Sequence, residues 1–157
     1  MKRSSAAYVS QGAIIAALYV ILTEVSAVLG LSGGVIQLRL SEALCVLPIF
    51  FPSAIPGLFI GCIISNILTG CLLPDIVFGS LATLIGAVFT YLLRKHKYIA
   101  TLPPVISNTL IIPPVLKTVY GVPDALPFIC LTVFLGEFIS CSLVGSFFIK
   151  IFDRRKK

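Results

Sequence analysis

The chain has 157 residues, of which 58% are hydrophobic and only 11% charged, and its net charge is +6. A water-soluble domain carries roughly 25% charged residues, so this chain lacks the polar surface such a domain needs. Apolar stretches recur along the whole length, which also excludes a single membrane anchor on a soluble head. The expectation is one transmembrane domain spanning residues 1–157.

The placement of the charges says more than their sum. Ten of the twelve Lys and Arg residues fall in three groups: Lys2 and Arg3; Arg94, Lys95 and Lys97; and Lys150, Arg154, Arg155, Lys156 and Lys157. Basic residues accumulate on the cytoplasmic side of short loops, so the three groups are expected on one side of the cell membrane. Each group ends an apolar run, which favours topology over a nucleic-acid surface, and no nucleic-acid partner is expected.

The first apolar run, about residues 6–29, is too long for a signal-peptide core of roughly 7–15 residues and reads as a retained helix. It exits at Gly30, before Ser32, Gly33 and Gly34. The stretch from Ala43 to Gly70 is too long for one helix and is punctuated by Pro48, Pro52 and Pro56. An interior proline removes a backbone hydrogen bond and clashes with the preceding turn, so the stretch splits into a short second helix, about 42–51, and a third, about 54–70. Asp75 opens a fourth, about 75–93. A fifth, about 102–116, is bracketed by Pro103-Pro104 and Pro113-Pro114, and a sixth covers about 126–152. The expected architecture is an all-α bundle of six transmembrane helices with both termini cytoplasmic. Six crossings put all three basic groups on one side; five would divide them.

Small residues mark helix contacts in a bilayer, because they let backbones approach. Gly79, Ala82, Thr83, Gly86, Ala87 and Thr90 share one face of the fourth helix. Gly57, Gly61 and Ser65 do so in the third. Ala13, Ala16 and Ala17 form a small face on the first, and Glu24 continues the line of Ala13 and Ala17.

Polar groups at membrane depth are costly and face a cavity, a partner or one another. Here they are Glu137 in the last helix, Asn108 in the fifth and Asn66 in the third. Arg39, Glu42 and Asp75 lie at outer helix ends. They point to a ligand site in the outer half. A carboxylate accepts N–H groups and an amide both donates and accepts, so Glu137 and Asn108 suit a small planar heterocycle. The alternatives are structural: Glu137 bonded to Asn108 or Ser140, an Arg39–Glu42 pair, and Asp75 as a helix N-terminal charge.

Catalysis has little to work with. There is no GxxxxGK[ST] phosphate loop, so the chain is not expected to hydrolyse ATP. HExxH is absent, and the sole histidine, His96, lies in a basic loop. No catalytic residue, metal site or resident cofactor is expected. The five cysteines show no CxxC spacing and read as reduced core residues.

Three runs carry a family resemblance: Gln37-Leu38-Arg39-Leu40-Ser41-Glu42-Ala43-Leu44, Pro56-Gly57-Leu58-Phe59-Ile60-Gly61-Cys62, and Asp75-Ile76-Val77-Phe78-Gly79-Ser80-Leu81-Ala82-Thr83-Leu84. Together with Asn108 and Gly136-Glu137, they resemble the QueT family. The resemblance implies a substrate-binding S component of an energy-coupling factor transporter. Such a component captures a queuosine precursor, a deazaguanine base, from outside. It works with a membrane T component and two cytoplasmic ATPases, which use the ATP. The resemblance also implies that Ala13 and Ala17, at AxxxA spacing, contact the T component. The rival readings are a self-sufficient secondary transporter with Glu137 as its proton-coupling carboxylate, and a membrane scaffold that transports nothing.

Overall fold

The computed structural model describes residues 5–31 and 38–154, with the Arg154 side chain left aside. Lys2, Arg3, the Ser32-Gly33-Gly34 exit, Gln37, Arg155, Lys156 and Lys157 lie outside the described residues. All elements among the described residues are helical. Four helical stretches are long and apolar enough to cross a membrane: Ser5–Val28, Leu73–Leu92, Ile99–Thr118 and Leu126–Asp153. Two shorter apolar helices, Leu40–Ile49 and Ala54–Leu68, complete the bundle.

Helix α1 is Ser5–Val28 and α2 is Ala54–Leu68. Both end in the same way. Gly30 and Gly70 adopt φ of 70° and 73°, and the next N–H reaches back five residues, Leu31 to Ser26 at 2.9 Å and Cys71 to Asn66 at 2.9 Å. This left-handed cap uses otherwise unpaired end carbonyls and favours glycine. Helix α3, Leu73–Leu92, opens with Pro74 and Asp75, and α4, Leu102–Thr118, with Pro103 and Pro104. Proline suits a first turn, where its missing N–H has no intrahelical partner.

Consecutive helices pack as neighbours, α1 on α2, α2 on α3, α3 on α4, and α4 on α5 (Leu126–Glu137). Glycines make the contacts close. A Cβ on Gly61 would lie 2.9 Å from the Ala16 carbonyl oxygen, and one on Gly86 would lie 2.7 Å from the Pro104 Cα. The small-residue face of α3, from Gly79 to Thr90, is buried throughout. Large apolar side chains such as Ile14, Ile21, Val77, Phe89, Leu110 and Phe147 point outward, as required where the solvent is lipid.

The second element departs from the expected α-helix. Leu40–Ile49 is a 3₁₀ helix, and Ser41 through Ile49 are all buried. It lies against α1, α3 and the last helix. At ~2.0 Å rise per residue its ten residues cover about 20 Å, short of the ~30 Å hydrocarbon core. It serves as the bundle's central plug. Leu44, Val46, Leu47 and Ile49 join Tyr19, Leu58, Val105 and Ile149 in one apolar core.

The last helix is also irregular. Between α5 and α6 (Gly145–Arg154) the chain winds as a π-helix over Phe138–Val144. Ile129, Val133 and Gly136 form the buried stripe above it, and Gly145 and Ile149 are buried below it. In a continuous α-helix, at ~100° per residue, the two sets would lie on nearly opposite faces. The wider π turns advance by roughly 80° per residue and bring the stripes to within roughly 50° of each other. The lower half is fixed where a Cβ on Gly145 would lie 2.5 Å from Val46 Cγ1.

Candidate functional site: a buried polar cluster

Arg39 occupies the N-cap of the 3₁₀ segment in extended conformation, and Glu42 follows in its first turn. The Arg39 guanidinium donates to Asn66 Oδ1 of α2 at 3.3 Å. The Asn66 amide points on to Cys62 Sγ at 3.6 Å, which also receives the Thr83 hydroxyl at 3.4 Å. Gly79 leaves room for this arrangement, since a Cβ there would lie 3.2 Å from Asn66 Nδ2 and 3.6 Å from Asp75 Oδ1. The charges of Glu42 and Asp75 both act on Arg39.

Glu42 is almost fully enclosed. The Tyr19 hydroxyl of α1 donates to its Oε1, and the Cys45 thiol lies 3.1 Å from its Oε2. Asp75, also buried, accepts the Tyr120 hydroxyl at 3.0 Å, and the Tyr120 oxygen accepts the Leu72 N–H at 3.1 Å. Tyr120 sits in the α4–α5 loop. Burial pushes its phenol up to about 12; the Leu72 N–H works against the shift and Asp75 adds to it. Lys117 braces the loop by donating to the carbonyls of Val122, Pro123 and Asp124 at 3.0, 3.2 and 2.8 Å.

On the other side, Asn108 of α4 is buried and its side-chain amide acts on the Glu137 carboxylate at the end of α5. Glu137 also lies within electrostatic reach of Arg39 and Glu42. Its Oε2 is buried and has no hydrogen-bond partner. A buried acceptor without a donor is expensive, so this oxygen is the open valence of the cluster. Arg39, Glu42, Asn66, Asp75, Asn108 and Glu137 thus converge from five segments of the chain.

Reasoning from the sequence missed Tyr19, Cys62 and Tyr120. Tyr19 had a signal: with Thr23 and Ser26 it forms a polar stripe at i, i+4 and i+7 in an otherwise apolar helix. Tyr120 had none, because its partner is 45 residues away. Among the described residues, no group of three or more His, Cys, Asp or Glu side chains could hold a metal ion.

Ala13 and Ala17 lie elsewhere. Both are exposed on α1 and line an open groove of about 720 Å³ between α1 and α2, with Gly12, Val20, Pro56 and Ile60 among the other walls.

Four long apolar helices make this a multi-pass membrane protein. No curated protein and no solved structure matches the chain. The family model described as QueT transporter matches residues 9–154, nearly the whole length, and the chain therefore belongs to the QueT transporter family.

Proposed function

We propose that this protein is the substrate-binding S component of an energy-coupling factor importer and captures a queuosine precursor, a deazaguanine base, from outside the cell. The observation that carries the reading is the unpaired, buried Glu137 Oε2 beside Asn108. A guanine-like edge offers adjacent N–H donors to a carboxylate and a carbonyl to an amide or guanidinium. Glu137 takes the donors in this reading. Asn108 and Arg39 serve the acceptors, Asn66 and Glu42 complete the wall, and Asp75 attracts an aminomethyl substituent where the base carries one.

The reading includes six crossings with both termini in the cytoplasm. The Lys97–Asp153 ion pair, at 2.5 Å, supports it by joining the 94–97 loop to the C-terminal helix at one end of the bundle. Arg39 and Asp75 belong to the opposite end. The exposed Ala13 and Ala17 in their groove support contact with a membrane T component, whose two ATPase partners supply the ATP-driven step. Close approach at small residues is how helices associate in lipid.

Uptake of labelled deazaguanine base into vesicles, with and without the T component and ATPases, tests this reading. Binding by the subunit alone, with uptake only when the module and ATP are present, is the expected result. Uptake by the subunit alone, driven by a proton gradient, would replace the reading with a secondary transporter using Glu137. Absence of any binding would leave a scaffold.

A further inference from the structure

Tyr19, Thr23 and Ser26 are all buried on one face of α1, and each reaches the same short stretch of chain. The Leu40 N–H donates to Ser26 Oγ at 2.9 Å, the Thr23 hydroxyl donates to Ser41 Oγ at 2.8 Å, and the Tyr19 hydroxyl donates to Glu42 Oε1. Three rungs therefore fasten residues 40–42 to α1, immediately after Arg39. A satisfied buried polar network rigidifies what it joins. What it joins here is the segment that aims the Arg39 guanidinium at Asn66, within reach of Asp75 and Glu42.

Both Glu42 oxygens are engaged within the protein, by Tyr19 and by Cys45. Glu137, by contrast, keeps an oxygen open. The two buried glutamates therefore differ in kind.

We propose that Tyr19 is a positioning residue for ligand binding: it grips Glu42, the grip fixes Arg39, and Arg39 meets the ligand. Glu42 acts through this grip. The inference rests on the ligand-binding reading above and assigns a role to a residue on a helix whose other side carries the exposed alanines.

The test measures binding of a deazaguanine base bearing an aminomethyl group to the purified full-length chain by titration calorimetry. Tyr19→Phe is expected to weaken binding by about tenfold, the scale of one lost buried hydrogen bond. The decisive measurement places Tyr19→Phe in an Arg39→Gln background, which keeps a donor and residual binding. A residue that acts through Arg39 loses its effect there, and the second substitution changes affinity by less than about twofold. A purely structural role for Tyr19 would carry over undiminished, which would overturn the proposal. So would wild-type affinity in Tyr19→Phe. If Tyr19→Phe does not fold, Thr23→Val removes the middle rung, and its smaller loss must likewise vanish in the Arg39→Gln background. Failure of the wild-type chain to bind the base sinks the functional reading itself. Wild-type binding with an undiminished Tyr19 effect sinks this inference alone.

Discussion

Gly57 of α2 crosses Gly12 of α1 so closely that a Cβ on Gly57 would lie 2.6 Å from the Gly12 carbonyl oxygen. The clash is with backbone, which cannot swing aside as a side chain can. Gly57→Ala is expected to force the helices apart and cost about 1–3 kcal/mol, in line with other overpacked contacts, and Gly57→Leu to prevent the packed state. Thermal unfolding in detergent, followed by helix signal, checks both.

Glu137→Gln removes the open carboxylate and keeps an oxygen for Asn108. Ligand affinity is expected to fall by about tenfold, or ~1.4 kcal/mol. Stability without ligand is expected to hold, since no packing volume is lost. Affinity equal to wild type would remove Glu137 from the site.

Ala13→Leu combined with Ala17→Leu fills the α1 groove from outside the fold. Both positions are exposed, so ligand binding by the subunit should be unchanged. Module-dependent uptake should fall by about tenfold or more, because bulky side chains keep partner backbones apart. Loss of binding and uptake together would count against a partner-facing role.

Tyr120 supplies a pH test. Its phenol is raised from 10.0 to about 12, so the folded state favours the neutral form. The stabilisation is fully present below about pH 10, where the unfolded phenol begins to ionise, and is lost as pH rises through about 12. The difference in tyrosinate absorbance between wild type and Tyr120→Phe should titrate near the upper value. Titration near 10 would mean that the phenol is fully solvated in the folded protein.

Much of the helical layout was legible because its determinants are local. The Pro103-Pro104 pair marks where α4 begins. The glycine and alanine periodicity of α3 announced a packed face, and every one of those residues is buried. The polar cluster was legible as a set of residue types, since charged and amide side chains are so scarce here. What was hidden depends on tertiary partners. Leu40–Ile49 has an apolar composition that suits an α-helix or a 3₁₀ helix equally, and Pro48 alone does not choose between them. The roles of Tyr19 and Tyr120 depend on partners 23 and 45 residues away. The π-helical winding follows from the need to face Gly145 toward Val46 while Gly136 also faces inward.

That winding bears on how relatives of this chain can differ in length. Seven π residues turn through roughly the angle that six α residues would cover. A sequence with one residue fewer between Glu137 and Gly145 can therefore return to regular α-winding with a change of only about 40° in how the two halves face each other. A gap of two at this point in an alignment would turn them by about 60° in the opposite sense, whereas regular winding with no gap would turn the carboxylate about 140° from its present direction. The last helix thus contains a position where evolution can change the count of residues by one with only a modest turn of the acid.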